Sequence, residues 1–151
     1  MERLSTHLVL AAVALLVLGI LPRHWWTAEG REVGLLSERV CRKGGGKDCE
    51  TRSHGSQVDG WWPTAGLATL VAGLVAVGGL LGALILARLG VPVRPLGYLG
   101  MAASALAGVA GLAFVLGKPS LFAETRINMG VFLLLLGAPF GVLAGLMLGR
   151  G

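Results

Sequence analysis

Residues 127–148 read INMGVFLLLLGAPFGVLAGLML, a run of 22 residues without a formal charge. A helix needs roughly 20 mostly apolar residues to cross the hydrocarbon layer of a bilayer, so this run has the length of a transmembrane helix. Three further apolar runs precede it, and the first of these, 8–21, approaches that length only when it is extended to begin at residue 4. The sequence therefore predicts an all-α membrane protein, a bundle of four transmembrane helices in a single domain over residues 1–151. The predicted helices span about 4–21, 62–87, 96–117 and 127–148.

The composition of the whole chain agrees with this prediction, since 54% of the residues are hydrophobic, 14% are charged, and the mean hydropathy is +0.75. A soluble domain is usually far more polar. The first run has an alternative reading as a signal peptide, because Met1–Arg3 gives a weakly positive start. Gly19–His24 offers no cleavage site of the small-x-small type, so we expect the run to remain as a helix.

A polar loop over residues 22–60 separates the first two predicted helices, and a pair of tryptophans lies at each end of it. Tryptophan concentrates at the headgroup level of membranes. The pairs Trp25-Trp26 and Trp61-Trp62 therefore predict where the chain leaves the bilayer and where it re-enters.

Two rules disagree about the side of the membrane on which this loop lies. Nine Lys and Arg residues would lie on the loop's side and four on the other, and these residues favour the cytoplasmic side. The loop's two cysteines instead suit an oxidising compartment, and its seven bases are nearly balanced by six acids. We expect an extracytoplasmic loop, cytoplasmic N- and C-termini, and a multi-pass protein of the cell membrane. The usage, rich in Gly, Ala, Leu and Arg, is typical of a bacterial protein, for which this is the inner membrane.

Cys41 and Cys49 flank the glycine-rich sequence RKGGGKD. Consecutive glycines tolerate positive φ without strain, so segments 32–41 and 49–54 are predicted to fold back as a hairpin that brings the two sulfurs within bonding reach. A disulfide there would stabilise the loop by about 2 to 3 kcal/mol in the chain-entropy model. Two free thiols in a cytoplasmic loop and a catalytic thiol pair are the alternatives. Membrane thiol oxidoreductases related to vitamin K epoxide reductase also need a Cys-x-x-Cys pair, and this chain has two cysteines in all.

The predicted helices carry rows of small residues at every fourth position, which places each row on one helix face. Helices in lipid associate through close packing of such rows. Each row therefore predicts either a packing face inside the bundle or a docking face for a partner helix, and both readings stay open. The rows are Gly137, Gly141, Gly145 and Gly149 in the fourth helix and Gly78 and Gly82 in the second.

Few residues of the chain are candidates for catalysis or for binding a metal or cofactor. A b-type haem needs two histidines across the bundle, and only His7 lies near a predicted helix. A zinc site from His24, His54, Cys41 and Cys49 lacks close ligand spacing. The three longer runs contain no Asp, Glu, Lys, Arg or His, although ion pathways usually need such residues inside the membrane. We expect no enzyme activity, no metal and no cofactor. We also expect no nucleic-acid partner, because the net charge of +5 forms no basic stripe with interleaved aromatics.

In the first loop the aromatic pair Trp25-Trp26 is followed by the step Gly34-Leu35 and then by Cys41 and Cys49. This order resembles that in the claudin and peripheral myelin protein superfamily of tetraspan proteins, although Leu36 lies where the family has a tryptophan. The resemblance implies a small outer β-sheet pinned by the two cysteines, with one of the tryptophans packed beneath it. Such proteins are not enzymes but form adhesive strands or serve as accessory subunits. The residues that carry the resemblance are Trp25, Trp26, Gly34, Leu35, Cys41 and Cys49.

The leading hypothesis is a non-catalytic membrane protein whose partners are the lipid bilayer and other membrane proteins, or a second copy of itself. It would be an accessory subunit of a larger complex or a claudin-like organiser of adhesion or of the envelope. One alternative is a transporter or enzyme acting on an apolar substrate, which predicts a cavity open to lipid and lined by Asn128, Ser104 or Thr69. The other is a thiol-redox protein, which predicts that Cys41→Ser abolishes electron transfer.

Overall fold

The computed structural model describes residues 2–21, 25–41 and 49–150 of the chain. These ranges contain four α-helices, five β-strands and two 3₁₀ turns. The helices are α1 (Glu2–Ile20), α2 (Trp62–Arg88), α3 (Arg94–Leu116) and α4 (Met129–Arg150). The strands are β1 (Trp26–Ala28), β2 (Arg31–Val33), β3 (Ser37–Cys41), β4 (Cys49–Ser53) and β5 (Arg126–Ile127), and the 3₁₀ turns are His54–Ser56 and Ser120–Phe122.

The ends of the helices follow local sequence signals. Pro63 and Pro95 lie in the first turn of α2 and α3, where the N–H that proline lacks has no partner in the helix. Gly90 follows α2 with a φ of +76°, a conformation that glycine adopts without strain. The N–H of Val91 donates back to the carbonyl of Leu86, so α2 closes in the Schellman pattern.

The four helices form a ring in which α1 packs against α2 and α4, and α3 packs against the same two helices. α2, α3 and α4 are long and apolar enough to cross a membrane, whereas the apolar part of α1, Ser5–Ile20, is shorter. Many large apolar side chains on the outside of the bundle are exposed, which is unusual for a protein surrounded by water. Examples are Leu74, Val109, Leu116, Phe132 and Leu136.

The five strands form one antiparallel sheet in the order β4-β3-β2-β1-β5. Cys41 at the end of β3 lies opposite Cys49 at the start of β4, and their sulfurs are bonded. The predicted hairpin and its disulfide are confirmed. The glycine-rich turn predicted between the two cysteines lies outside the described residues.

The fifth strand comes from the other loop, between α3 and α4. Arg126–Ile127 pairs with β1, and the N–H of Asn128 donates to the carbonyl of Trp25. The backbone at 126–127 is therefore extended, and α4 begins at Met129, two residues later than the apolar run predicts. Because β1 follows α1 and β5 precedes α4, this pairing brings both loops to the same end of the bundle.

The glycine row of α4 lies inside the bundle. A Cβ added at Gly137 would lie 3.0 Å from the backbone nitrogen of Leu16 in α1, and one at Gly145 would lie 2.6 Å from the carbonyl oxygen of Gly97 in α3. The other two members, Gly141 and Gly149, also face α3. Because α1 and α3 already occupy this row, it is a packing face and is not open to a partner helix.

The pair Gly78 and Gly82 in α2 has a different environment. A Cβ added at Gly78 would meet no described atom within 4 Å, and one at Gly82 would meet only the Cδ1 of Leu96, at 3.9 Å. Among the described residues, these two glycines therefore do not pack closely against another helix of the chain. α2 is rotated so that Gly79 faces α3 instead, and a Cβ there would lie 3.2 Å from the nitrogen of Gly100.

This difference gives a matched pair of substitutions. Gly145→Ala is expected to lower the free energy of unfolding by about 1 to 3 kcal/mol, because the new methyl group overlaps backbone atoms of α3. Gly78→Ala is expected to be neutral or to stabilise α2 by up to about 1 kcal/mol, since alanine is the better helix former. Unfolding of both variants in detergent micelles measures the difference, and equal losses would contradict the assigned rotation of α2.

Candidate functional site

The sheet rests on the bundle through one group of packed rings, which we call the aromatic cluster. Its members come from the first loop, the starts and ends of helices, and the second loop. Every member is at most 3% exposed, so the cluster is the core of the junction between sheet and bundle. It consists of Trp25, Trp26, His54, Trp62, Phe114 and Phe122.

Phe114 of α3 lies at the centre of the cluster. The indole of Trp62 stacks on its ring with centroids 4.2 Å apart and planes inclined by 14°. Trp25 meets the same ring edge-on at 5.4 Å, and Trp26 lies 5.2 Å away. Such pairs contribute about 0.5 to 1.5 kcal/mol each beyond the burial of their area. Phe114 therefore joins the first loop to both α2 and α3.

Two indole N–H groups fix the cluster to the ends of helices. Nε1 of Trp25 donates to the carbonyl of Gly19 in the last turn of α1, and Nε1 of Trp62 donates to the carbonyl of Phe114 in the last turn of α3, both at 2.8 Å. Carbonyls in the last turn have no partner within their own helix. The tryptophans thus supply the missing donors while their rings fill the junction.

The resemblance implied that Trp25 or Trp26 lies beneath the sheet, and the structure places both there. Trp62 joins them, so three of the four tryptophans that the sequence placed at the membrane boundary are buried. Trp61 is 60% exposed, and its ring lies against Gly117 at the end of α3, where an added Cβ would overlap it.

The Gly-Leu step of the first loop lies directly over α2. The carbonyl of Gly34 accepts a hydrogen bond from Nε2 of His54 at 2.8 Å, and Leu35 is buried. A Cβ added at Gly66 of α2 would overlap the carbonyl oxygen of Leu35, so glycine is needed there for the loop to approach. Leu36 is 42% exposed and is not a member of the cluster.

His54 is held as a neutral imidazole. Burial lowers its pKa below the usual value of 6.5, and this effect exceeds the opposing influence of the hydrogen bond to Gly34 and of the nearby Glu38 charge. Because Nε2 donates to a carbonyl, the proton lies on that nitrogen and Nδ1 is the unprotonated acceptor. Nδ1 is buried without a hydrogen-bond partner in the described part of the chain.

A buried ion pair joins β2 to β3. Nε of Arg31 lies 3.2 Å from Oε2 of Glu38, whose side chain is almost fully enclosed. The geometry is that of an ion pair, since this oxygen has no aligned hydrogen-bond donor among the described residues. Nη1 of Arg31 also donates to the carbonyl of Leu121 at 3.1 Å, and the guanidinium lies 5.8 Å from the centre of the Phe122 ring. Arg31 therefore ties the sheet to the second loop.

Lys118 makes a similar connection from the second loop. Its Nζ donates to the carbonyl of Thr125 at 2.7 Å and lies 5.8 Å from the centre of the Trp26 ring. Burial lowers the pKa of Lys118. A cation over an aromatic face is attracted by the ring's quadrupole, so Lys118 and Arg31 both hold the second loop against the cluster.

The polar residues proposed for an apolar-substrate site have other roles. The hydroxyls of Thr69 and Ser104 are buried and donate to carbonyls in their own helices, Ala65 and Gly100 respectively. The amide oxygen of Asn128 accepts the N–H of Met129 at the start of α4.

The structure also gives the positions of the two cysteines and of His54, a candidate metal ligand. Because Cys41 and Cys49 are bonded to each other, the alternative of two free thiols is wrong for this structure. No group of three or more His, Cys, Asp or Glu side chains in the described ranges is arranged to hold a metal ion. His24, a ligand of the zinc site considered from the sequence, lies outside those ranges.

Sequence reasoning missed several residues of this site. Phe114 and Phe122 look in the sequence like ordinary apolar residues at or beyond a helix end. Arg31, Glu38 and Lys118 lie in stretches of mixed charge with no motif around them. A weak signal was available for Phe114, since it belongs to the last turn of an apolar run that ends beside the polar loops.

The state of His54 gives a test by pH. The pKa of His54 is lower in the folded state, so the unfolded chain binds the proton first as the pH falls. The contribution of the neutral His54 to the free energy of unfolding is therefore fully present above pH 6.5. It is lost as the pH drops from there through the folded-state pKa. Thermal unfolding of the wild type is expected to shift to lower temperature between pH 7.5 and pH 5. His54→Gln, which keeps a donor for Gly34, is expected to lose most of this shift, whereas the control His7→Gln keeps it. An unchanged shift in His54→Gln would contradict the assignment.

Comparison with protein-family models and with curated proteins finds no match to this chain. The basis for a function is therefore the geometry of the aromatic cluster and of the sheet.

Proposed function

We propose that this chain is a non-catalytic integral membrane protein with four membrane-spanning helices, whose outer sheet binds other membrane proteins. In this role it is an accessory subunit of a larger complex or an organiser of adhesion or of the envelope. The observation that carries the proposal is a small sheet held rigidly on an apolar bundle with its far strand exposed.

The apolar bundle supports insertion in a bilayer. Three helices are long and apolar enough to span one, and the apolar part of α1 is Ser5–Ile20. This part is about 24 Å long at 1.5 Å per residue, whereas the hydrocarbon layer is about 30 Å thick. A bilayer accommodates a short span by local thinning, so α1 can cross beside its longer neighbours. The pairing of β1 with β5 brings the end of α1 and the start of α4 to the same end of the bundle. This is the arrangement expected if each of the four helices crosses the bilayer once.

The outer sheet has the features of a binding platform. The aromatic cluster holds β1 and the turn after β4 against the bundle, and the disulfide closes the β3–β4 hairpin. A rigid surface loses little conformational entropy on binding, which favours affinity. The outermost strand β4 is exposed from Glu50 to Ser53, and its Glu50–Arg52 ion pair of 2.7 Å lies on the surface.

The edge of β4 offers a specific mode of binding. Among the described strands β4 pairs with β3 alone, so its other edge carries backbone N–H and C=O groups that a partner strand can use. Addition of a strand to an exposed sheet edge is a common way to bind an extended segment of another protein. We place the binding site of the partner at this edge and on the side chains Glu50, Thr51 and Arg52.

Thiol labelling tests insertion and orientation. In intact cells a membrane-impermeant thiol reagent is expected to label Cys41 and Cys49 only after treatment with an impermeant reductant, because the pair is oxidised and faces outward. Val91→Cys, in the exposed turn between α2 and α3, is expected to react only after permeabilisation. Labelling with the two positions reversed would place the loop inside the cell, and equal labelling of both would argue against insertion.

Site-specific photocrosslinking tests the binding of a partner. A photoreactive residue at Thr51 on β4 is expected to give one discrete protein adduct in native membranes. The same residue at Val109, which is 68% exposed on the outside of α3, serves as the control and is expected to react with lipid. The proposal fails if Thr51 gives no protein adduct, or if the purified chain alone sustains an enzymatic turnover.

A further inference from the structure

A cleft lies at the end of the bundle opposite the sheet. It has a volume of about 570 Å³ and is lined by residues of α1, α2 and α4. Residues near the start of α1 line the cleft, and the end of α1 reaches the sheet. α2 runs the other way, from Trp62 beneath the sheet to Arg88 in the lining of the cleft. The lining consists of Ser5, Thr6, His7, Leu84, Ala87, Arg88 and Leu148.

The chemistry of this lining is divided between two classes of side chain. The polar side chains carry hydroxyl, imidazole and guanidinium groups and belong to Ser5, Thr6, His7 and Arg88. The apolar side chains are Leu84, Ala87 and Leu148. No described residue of the lining carries a carboxylate. Guanidinium groups bind phosphate oxygens with two parallel hydrogen bonds. The polar side therefore suits a phosphate, and the apolar side suits a hydrocarbon chain attached to it.

The depth of the cleft fits the same ligand. α2 contains 27 residues and is therefore about 40 Å long at 1.5 Å per residue. A bilayer measures about 40 to 45 Å across when its headgroup regions are included. If Trp62 lies at one headgroup layer, Arg88 at the other end of α2 reaches the opposite one, where the lipid phosphates are.

We propose that this cleft binds the phosphate-bearing headgroup of an anionic phospholipid, with Arg88 as the main phosphate ligand and Leu84 and Leu148 against the first part of an acyl chain. The inference rests on the membrane insertion advanced under the proposed function. Ser5, Thr6 and His7 of α1 line the same cleft.

A neighbouring arginine provides a control for simple surface charge. Arg94 at the start of α3 is exposed on the same end of the bundle and is not part of the lining. Arg88→Gln and Arg94→Gln change the net charge equally, so a difference between them reports the cleft itself. Ala87→Leu keeps every charge and fills part of the cleft, and it therefore tests the cavity independently of Arg88.

The experiment measures the thermal stability of the purified protein in dodecyl maltoside micelles as lipid is added. Dioleoyl-phosphatidylglycerol is expected to raise the melting temperature of the wild type at a lower mole fraction than dioleoyl-phosphatidylcholine. Arg88→Gln and Ala87→Leu are each expected to need about tenfold more phosphatidylglycerol for the same shift, as loss of a charge-assisted contact implies. Arg94→Gln is expected to behave as the wild type does.

Three outcomes overturn the inference. Equal weakening by Arg94→Gln and Arg88→Gln would indicate unspecific attraction of anionic lipid. A shift produced equally well by glycerol phosphate without a lipid chain would indicate a site for a soluble phosphate compound. No selectivity for phosphatidylglycerol in the wild type would remove the site altogether. Because thiol labelling of intact cells reports insertion separately, a failure here leaves that result unaffected, whereas failed insertion appears in the labelling.

Discussion

The stacking of Trp62 on Phe114 joins the start of α2 to the end of α3, and the sheet is built on this contact. The indole fills the junction with its ring and supplies a hydrogen bond to the carbonyl of Phe114. Trp25 repeats the same arrangement at the end of α1. In each case one side chain satisfies a helix end that would otherwise be buried without a donor and contributes apolar area to the core. Loss of this junction would separate the sheet from the helices that orient it.

The helices were predictable because the length of an apolar run is a property of the local sequence. The β3–β4 hairpin was predictable for a similar reason, since both cysteines and the intervening glycines are close in sequence. β1, β2 and β5 have three residues or fewer, too few to show an alternating pattern, and β5 pairs with β1 from the far side of α2 and α3. No local pattern distinguishes Arg126–Ile127 from the first turn of a helix.

The glycine rows illustrate what sequence periodicity leaves undetermined. Gly145 and Gly78 belong to rows of the same spacing, yet one is enclosed by α3 and the other is open. The rotation of each helix is set by all its neighbours together, which a single row does not report. The candidate functional site was likewise predictable only in part. The order of Trp25, Gly34 and Cys41 indicated the loop, whereas Phe114 and Glu38 acquire their roles only when distant segments meet.

Strand β5 has a consequence for the order in which the protein is made. Among the described strands it is the last in the sequence, and it directly precedes α4, so the sheet gains its final edge only after the three preceding helices have been synthesised. Until then β1 has an unpaired edge, and the carbonyl of Trp25 lacks the N–H of Asn128. Completion of the sheet is therefore a late step of synthesis, and a chain truncated before β5 would expose an open strand beside Trp25 and Trp26.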